Sequence, residues 1–579
     1  MNDWLRHGFE FGSAVELAAV LTLAATAAII LFGTPEHIRE RLSQWESRPL
    51  RPVLWLARRP ALSVLVCGVA PMLLRAALWP LLRYPVPGAL DEYSYLLAAD
   101  TFAHGRLTNP THPLWQFFET FHVIQTPSYA SKYPPLQGLL LAAGQVLLGH
   151  PWWGVYVSVG IMSATLCWAL RGWVPGRWAL LGSFVALLQW EVLSYWMNSY
   201  WGGALAATGA ALLLGGFPRL PQSLRRRSPW IALLMAVGVA ILANTRPYEG
   251  LMLAAPLLIA VAWRILRRGS RVSVRALLPA TLVLLATASA MMYYCWRVTG
   301  DPLLMPYVVH ERQYAISPSF ILLPPRLEPV SRHPIMAQWW RQERDSYDMA
   351  RSTRFPRYIL NHAYMVFIFF IGPALLMAYA ALCLRATGMK IRWLVGLLLL
   401  QFLAIVMVAG NMPHYAAPST ALVLLLAVIG VRRLHTQPRW GPALVHAIVL
   451  ACVVRAVMCL PAYYWIPASH RDMSDYYRRC CIDNNANFDR ASLQERLEGL
   501  PGRQLVIVQY TPAQPRFKEY VYNLADIDSQ RVVWARSMGA AENIRLLNYY
   551  GDRHVWLLTI FSDHGEFRPY PIANASLVP

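Results

Sequence analysis

The chain has 579 residues, of which 56% are hydrophobic and only 14% charged, and it carries a formal net charge of +21 at pH 7. Soluble domains average about 25% charged residues, so this composition excludes an ordinary soluble protein and points to an integral membrane protein. The arginines fall in short clusters between apolar runs and form no continuous basic face, which argues against a nucleic-acid partner and reads as a membrane-topology signal. Eight cysteines without a CxxC pair give no zinc or iron–sulfur signature.

In chain order, apolar runs approaching the ~20 residues that a bilayer crossing needs lie near 13–33, 61–82, 152–170, 178–199, 200–217, 229–245, 250–266, 275–296, 358–383, 391–410, 418–432 and 442–460. They predict a polytopic α-helical membrane protein with about 11 to 13 transmembrane helices. The first run lacks a small-residue cleavage site and reads as a retained helix. Arginine-rich loops stay cytoplasmic, which places 83–134, the Asn244–Glu249 turn, 297–357, 411–415 and everything after 461 on the outer face. The apolar run Pro134–Gly149 is short for a span and breaks the alternation of sides: either it is a re-entrant or interfacial helix, or two later short runs form a single span.

From about residue 461 the apolar runs shrink to strand length. Residues 504–510, 531–535 and 554–560 predict buried strands, and 541–548 a helix between the last two. The expected plan is therefore an extra N-terminal transmembrane helix and cytoplasmic loop in 1–60, a transmembrane catalytic domain in 61–460, and a small α/β domain with its own core in 461–579. Cys459, Cys480 and Cys481 near its start allow one disulfide if that side is oxidising.

The outer face carries the chemistry. From Asp91 the segment Asp-Glu-Tyr-Ser-Tyr-Leu-Leu-Ala-Ala-Asp-Thr-Phe-Ala-His-Gly105 predicts a helix stopped by glycine and lying flat in the interface, with Asp91 and Glu92 at the water–lipid boundary. A plain capping role for Asp91 is the competing expectation. Lys132, one of only three lysines in the chain, precedes Tyr133-Pro-Pro-Leu136, and as a compact cation it suits a phosphate. Arg246-Pro-Tyr-Glu249 sits between two apolar runs, where ionisable groups are functional candidates, although Arg246 can also simply reach toward headgroups. Asn198, His310, Glu311, Arg312 and His414-Tyr415 are individually weak signals, each more readily explained as capping, packing or loop residues.

Asp91-Glu92 before an aromatic helix, then His104-Gly-Arg-Leu-Thr-Asn-Pro110, then Lys132-Tyr-Pro-Pro-Leu136 resembles the first outer loop of the polyprenyl-phosphate-dependent glycosyltransferases with the GT-C fold, nearest to the lipid A aminoarabinose transferase and the protein O-mannosyltransferases. The motifs cover roughly residues 85–150. The resemblance implies that Asp91 is the essential carboxylate and that Lys132 contacts lipid phosphate, although here a tyrosine separates that lysine from the proline pair. The second acid of a later outer loop has no clear counterpart; Glu191 and Asn198 are what the matching stretch offers.

Together these readings predict an inner-membrane enzyme of a bacterial cell, its site facing the periplasm, that moves a sugar from a polyprenyl-phosphate donor to an acceptor hydroxyl of an envelope glycan, lipid or protein. Membrane lipids are the surrounding partner. A phosphate leaving group needs a cation more than an acid, whereas the acceptor must lose a proton. Asp91 is accordingly the expected base and Glu92 a supporting carboxylate. Lys132, Tyr133, Arg246, Glu249, His414 and Tyr415 are expected on the donor phosphate, and Asn198 and Glu191 on the acceptor side. No cofactor is expected; a divalent metal remains open, with no ligand spacing that demands one. The alternative is a transporter or flippase of lipid-linked substrates, in which Asp91 and Lys132 would couple ions, but repeats and mid-membrane charges of that class are not evident.

Overall fold

A computed structural model describes residues 20–25, 51–267, 274–384, 388–437, 440–465, 487–511, 519–561 and 564–571. Most of the predicted span at 13–33, with Cys480 and Cys481, lies outside these residues. The chain is a polytopic α-helical membrane protein with a small α/β region near its C-terminus. Seven helices among the described residues are long and apolar enough to cross a membrane: Pro60–Ala77, Trp152–Leu170, Arg275–Thr299, Phe355–Cys383, Met389–Val406, Pro413–His435 and Gly441–Cys459. Helices Ala204–Arg225 and Pro247–Arg267 have spanning length but fall outside that set.

The chain folds into two compact units of interleaved segments. The first comprises Met1–Pro85, Val155–Ser289 and Pro356–Asn484, the second Val86–Gly154, Ala290–Phe355 and Asn485–Pro579. This differs from the three consecutive blocks expected from composition.

In the first unit, helices cross closely where glycines face one another. A Cβ on Gly209 would sit 2.8 Å from the Gly238 carbonyl, and one on Gly238 2.6 Å from that of Gly209, so helices Ala204–Arg225 and Trp230–Ala243 touch backbone to backbone. The expected pair of spans at 178–199 and 200–217 is corrected. Helix Gly176–Ala186 runs through a π-helical turn, Leu187–Glu191, and the chain is then irregular until Ala204. Hydrogen bonds from polar side chains sustain that break: Asn198 Nδ2 donates to the Val192 and Ser194 carbonyls at 2.8 and 2.9 Å. Arg75 adds its Nε to Asn198 Oδ1 at 3.1 Å and its Nη1 to the Leu82 carbonyl at 2.7 Å. Irregular backbone inside an apolar unit survives only when its polar groups are satisfied in this way. Cys459, in the last long helix, is disulfide-bonded.

In the second unit, β3 (Arg503–Tyr510) pairs in parallel with β4 (Val532–Arg536) and β5 (Arg553–Ile560), and β5 pairs antiparallel with β6 (Gly565–Pro569), in the order β4-β3-β5-β6. The three predicted strands and the helix Ala540–Tyr549 are present. Helices Phe488–Glu498, Pro306–Tyr314 and Pro334–Ala350 and strand β6 are additions that short polar periodicity does not announce.

Alternation along the strands buries both faces. Val506, Val508, Val532, Trp534 and Leu558 pack with Leu497 of helix Phe488–Glu498. On the other face, Leu505, Ile507, Val533 and Leu557 pack with Tyr93, Leu97, Phe117 and Phe118 of the first loop. One face of the C-terminal sheet is thus covered from within the region and the other by residues some four hundred positions earlier.

The same contact revises the expectation for the helix that starts beside Asp91. Helix Leu90–Ala103 does not present one face to lipid: Tyr93, Ser94, Tyr95, Leu97, Ala98, Ala99, Asp100 and Thr101 are all buried. Small residues let neighbours close in on several sides. A Cβ on Gly138 of helix Pro135–Leu148 would lie 2.7 Å from the Ala98 Cβ and 2.9 Å from the Phe102 ring. At 14 residues, or about 21 Å at 1.5 Å per residue, Pro135–Leu148 is shorter than the ~30 Å hydrocarbon core.

Because Gly138 sets the distance between these two helices, Gly138→Val forces the helix carrying Asp91 away from its support. The expected cost is about 1–3 kcal/mol, read as a lowered Tm of detergent-solubilised protein; an unchanged Tm contradicts this packing.

Candidate active site

Glu92, not Asp91, secures the start of helix Leu90–Ala103. Its Oε1 accepts from the backbone N–H groups of Gly88 and Ala89 at 3.3 and 3.0 Å, which fills the N-terminal half of a capping box. Glu92 is 1% exposed, so its work is to hold the turn on which Asp91 sits. The helix ends where Gly105 turns left-handed, at φ +70°, as its glycine predicts.

Asp91 keeps about a quarter of its side chain exposed. Its Oδ1 accepts a hydrogen bond from the Tyr133 hydroxyl, and Tyr133 stacks on Tyr95 with ring centroids 4.4 Å apart and planes 16° from parallel. Burial first, and then the Asp91 charge, push the Tyr133 phenol well above its ordinary range, so it stays a donor. Asp91 Oδ2 lies 3.8 Å from His122 Nε2.

His122 is the residue that sequence reading misses. A short antiparallel ladder pairs β1 (Val123–Ile124) with β2 (Ala130–Ser131), in the register Val123↔Ser131, which carries His122 and Lys132 to the same end of the ladder. Lys132 Nζ lies 2.7 Å from His122 Nδ1. An ammonium can only donate, so Nδ1 accepts and the imidazole proton sits on Nε2, facing Asp91. Burial and the adjacent Lys132 charge hold His122 well below its usual pKa, consistent with a neutral ring. His122 also adopts φ +63°, a left-handed conformation costing about 1 kcal/mol or more in a non-glycine residue. Its carbonyl is fixed by Ser94 Oγ at 2.6 Å and by the Lys132 N–H at 3.2 Å.

Lys132 is itself buried, at 6% exposure, with its ammonium 5.1 Å from the Tyr133 ring centroid and 4.8 Å from that of Tyr307. His310 lies beside this group. Its ring centroid is 6.0 Å from His122 and 5.6 Å from Trp340, and burial, Lys132 and His122 hold it well below its usual pKa.

The other expected residues belong to the first unit. Arg246 Nη1 faces Glu249 Oε1 at 3.9 Å, and its guanidinium lies 4.6 Å from the Tyr415 ring centroid. His414 is buried with Nδ1 3.1 Å from the Tyr195 hydroxyl and its ring 4.7 Å from Trp201. The structure therefore brings Arg246, Glu249 and Tyr415 together, with His414 next to Tyr415. Asn198 has its amide committed to the irregular segment and to Arg75, so its observed part is structural. Glu191 is fully buried. No group of three or more His, Cys, Asp or Glu side chains suited to a metal occurs among the described residues.

No family model and no curated protein matches the sequence. Among solved structures, the chain is similar to the apo oligosaccharyltransferase of Archaeoglobus fulgidus at 10% identity and a TM-score of 0.37, covering 77% of this chain and 62% of that one. The zinc and sulfate complex of that protein gives 10% identity and a TM-score of 0.43, covering 86% and 67%. ArnT from Cupriavidus metallidurans in the apo state gives 13% identity and a TM-score of 0.39, covering 84% and 92%. This chain spans less than two thirds of the length of the apo oligosaccharyltransferase. Likenesses this distant carry no argument about residues.

The two depressed histidines make stability depend on pH in a defined direction. The unfolded chain protonates its histidines below about 6.5, whereas His122 and His310 stay neutral in the fold, so the unfolded state gains protons and stability falls as pH drops. Thermal unfolding between about pH 8 and 5 should show this loss, and a His122→Asn/His310→Asn double variant should flatten it. An identical pH slope in the variant contradicts the assignment.

Proposed function

We propose that the chain is a membrane glycosyltransferase that moves a monosaccharide from a polyprenyl-phosphate donor to an acceptor hydroxyl, with its site on the periplasmic side of a bacterial inner membrane. One observation supports the reading above the others: a carboxylate and an ammonium are held at opposite nitrogens of one neutral imidazole, Asp91–His122–Lys132.

In this proposal the acceptor O–H loses its proton to Asp91 as its oxygen bonds to the anomeric carbon. The bond from that carbon to the phosphate oxygen breaks, and the polyprenyl phosphate departs as an anion. Displacement in one step inverts the anomeric centre. Tyr133 and His122 orient the two carboxylate oxygens of Asp91 toward the acceptor. Lys132 supplies the cation for the leaving phosphate, its ammonium restrained by His122 and two tyrosine rings so that little reorganisation is needed. Glu92 acts through the backbone turn. Arg246, with Glu249, His414 and Tyr415, forms a second basic and aromatic cluster suited to phosphate or headgroup contact.

The test is transfer from radiolabelled polyprenyl-phosphate sugars by protein in nanodiscs, with the acceptor taken from envelope extracts of cells lacking the gene. Asp91→Asn preserves size and should lower turnover by about 10²–10⁴-fold, the range of a lost general base. Lys132→Met should lose a comparable factor, while Glu92→Gln should chiefly lower Tm. Full transfer by Asp91→Asn overturns the reading; uptake or flipping without any glycosyl product favours transport.

A further inference from the structure

Helix Pro334–Ala350 buries Met336, Trp340, Tyr347 and Ala350, a stripe at helical spacing. Glu343 lies on that same stripe, three residues after Trp340 and four before Tyr347, yet it is exposed. A side chain that points inward and still reaches solvent marks a place where the stripe opens into a recess. Its carboxyl is pushed up to about 7, chiefly by surrounding protein, with Lys132 opposing and Asp91 and Glu311 adding to the rise. The same charges put Glu343 within electrostatic reach of Asp91 and Lys132.

Two buried polar atoms nearby have no partner among the described residues. His310 Nε2 and Trp340 Nε1 are unbonded although these residues are 1% and 5% exposed, and their rings lie 5.6 Å apart. Leaving such groups unpaired costs about 1–3 kcal/mol each, a penalty that a ligand removes. Trp339 and Trp340 both face His122, at 6.2 and 6.3 Å between centroids, so the opening has an aromatic wall as well as polar points.

We propose that this recess receives the sugar of the lipid-linked donor, with Glu343, His310 Nε2 and Trp340 Nε1 hydrogen-bonding its hydroxyls. A hydroxyl both donates and accepts, so it satisfies an indole N–H, a carboxylate and either nitrogen of a neutral imidazole. Lys132 within electrostatic reach of Glu343 puts the phosphate subsite next to the sugar subsite, as one covalent linkage requires. The inference rests on the proposed function and adds the residues that read the sugar.

The experiment measures binding to wild type, Glu343→Gln and Trp340→Phe in nanodiscs by native mass spectrometry. The probes are polyprenyl phosphate alone and polyprenyl phosphate bearing glucose, galactose or mannose. Wild type should bind at least one sugar-bearing lipid more tightly than the bare phosphate. Each variant should lose about tenfold of that increment, the scale of one hydrogen bond involving a charged or buried partner, with bare-phosphate affinity unchanged in the charge-neutral Trp340→Phe. Because Glu343 faces Lys132, Asp91 and Glu311, the increment should vary with pH around about 7 in wild type and not in Glu343→Gln. An increment that both variants retain, or a wild type that gains nothing from any sugar, overturns the sugar subsite while leaving the transferase reading intact. Absence of saturable polyprenyl phosphate binding by the wild type overturns both.

Discussion

A neutral imidazole between an ammonium and a carboxylate organises the second unit. His122 is buried, accepts from Lys132 at Nδ1 and directs its remaining N–H toward Asp91. Isolated, each of these groups would resist burial: an uncompensated ammonium or carboxylate in a protein interior costs several kcal/mol. Connected through one ring, the two charges are held at its opposite nitrogens.

The rest of the unit maintains that connection. Ser94 of helix Leu90–Ala103 bonds the His122 carbonyl and lies 2.7 Å from Ser131 Oγ, joining the helix to both strands of the small ladder. Asp100, six residues further along the same helix, accepts from Gln145 at 3.2 Å and from the Ala525 N–H at 2.9 Å. The C-terminal sheet then covers Tyr93, Leu97, Phe117 and Phe118. Fully buried Arg536 pairs with Glu519 and donates to the Glu119 carbonyl, which ties the sheet to the loop that precedes His122. A region that looks like an appended domain in the sequence is thus part of the support for Asp91.

Much of the plan is legible from composition and period. Apolar length announces most of the long helices, and runs such as Leu505-Val-Ile-Val508 announce buried parallel strands. Asp91 and Lys132 stand out because charges are scarce in so apolar a chain, and lysine is scarcer still. The illegible parts have physical causes. His122 sits in Phe121-His-Val123, which reads as a core histidine, and only the ladder register brings it to Lys132. Glu343 is hidden in Arg341-Gln-Glu-Arg-Asp345, where charge density imitates a solvated helix face. The break after Glu191 is invisible to hydropathy because Val192, Leu193, Trp196 and Met197 are as apolar as a span, while Asn198 and Arg75 quietly satisfy its backbone. The domain boundary misleads for a related reason: local strand patterns cannot say that one face is covered from across the chain.

The most direct measurement is a cryo-electron microscopy structure of the protein in nanodiscs with a non-transferable phosphonate analogue of a polyprenyl-phosphate sugar. The account predicts the phosphonate against Lys132 Nζ, the anomeric carbon facing the Asp91 carboxylate, and Lys132 still bonded to His122 Nδ1. A headgroup bound away from Lys132, or Asp91 turned from the anomeric carbon onto a structural partner, contradicts it.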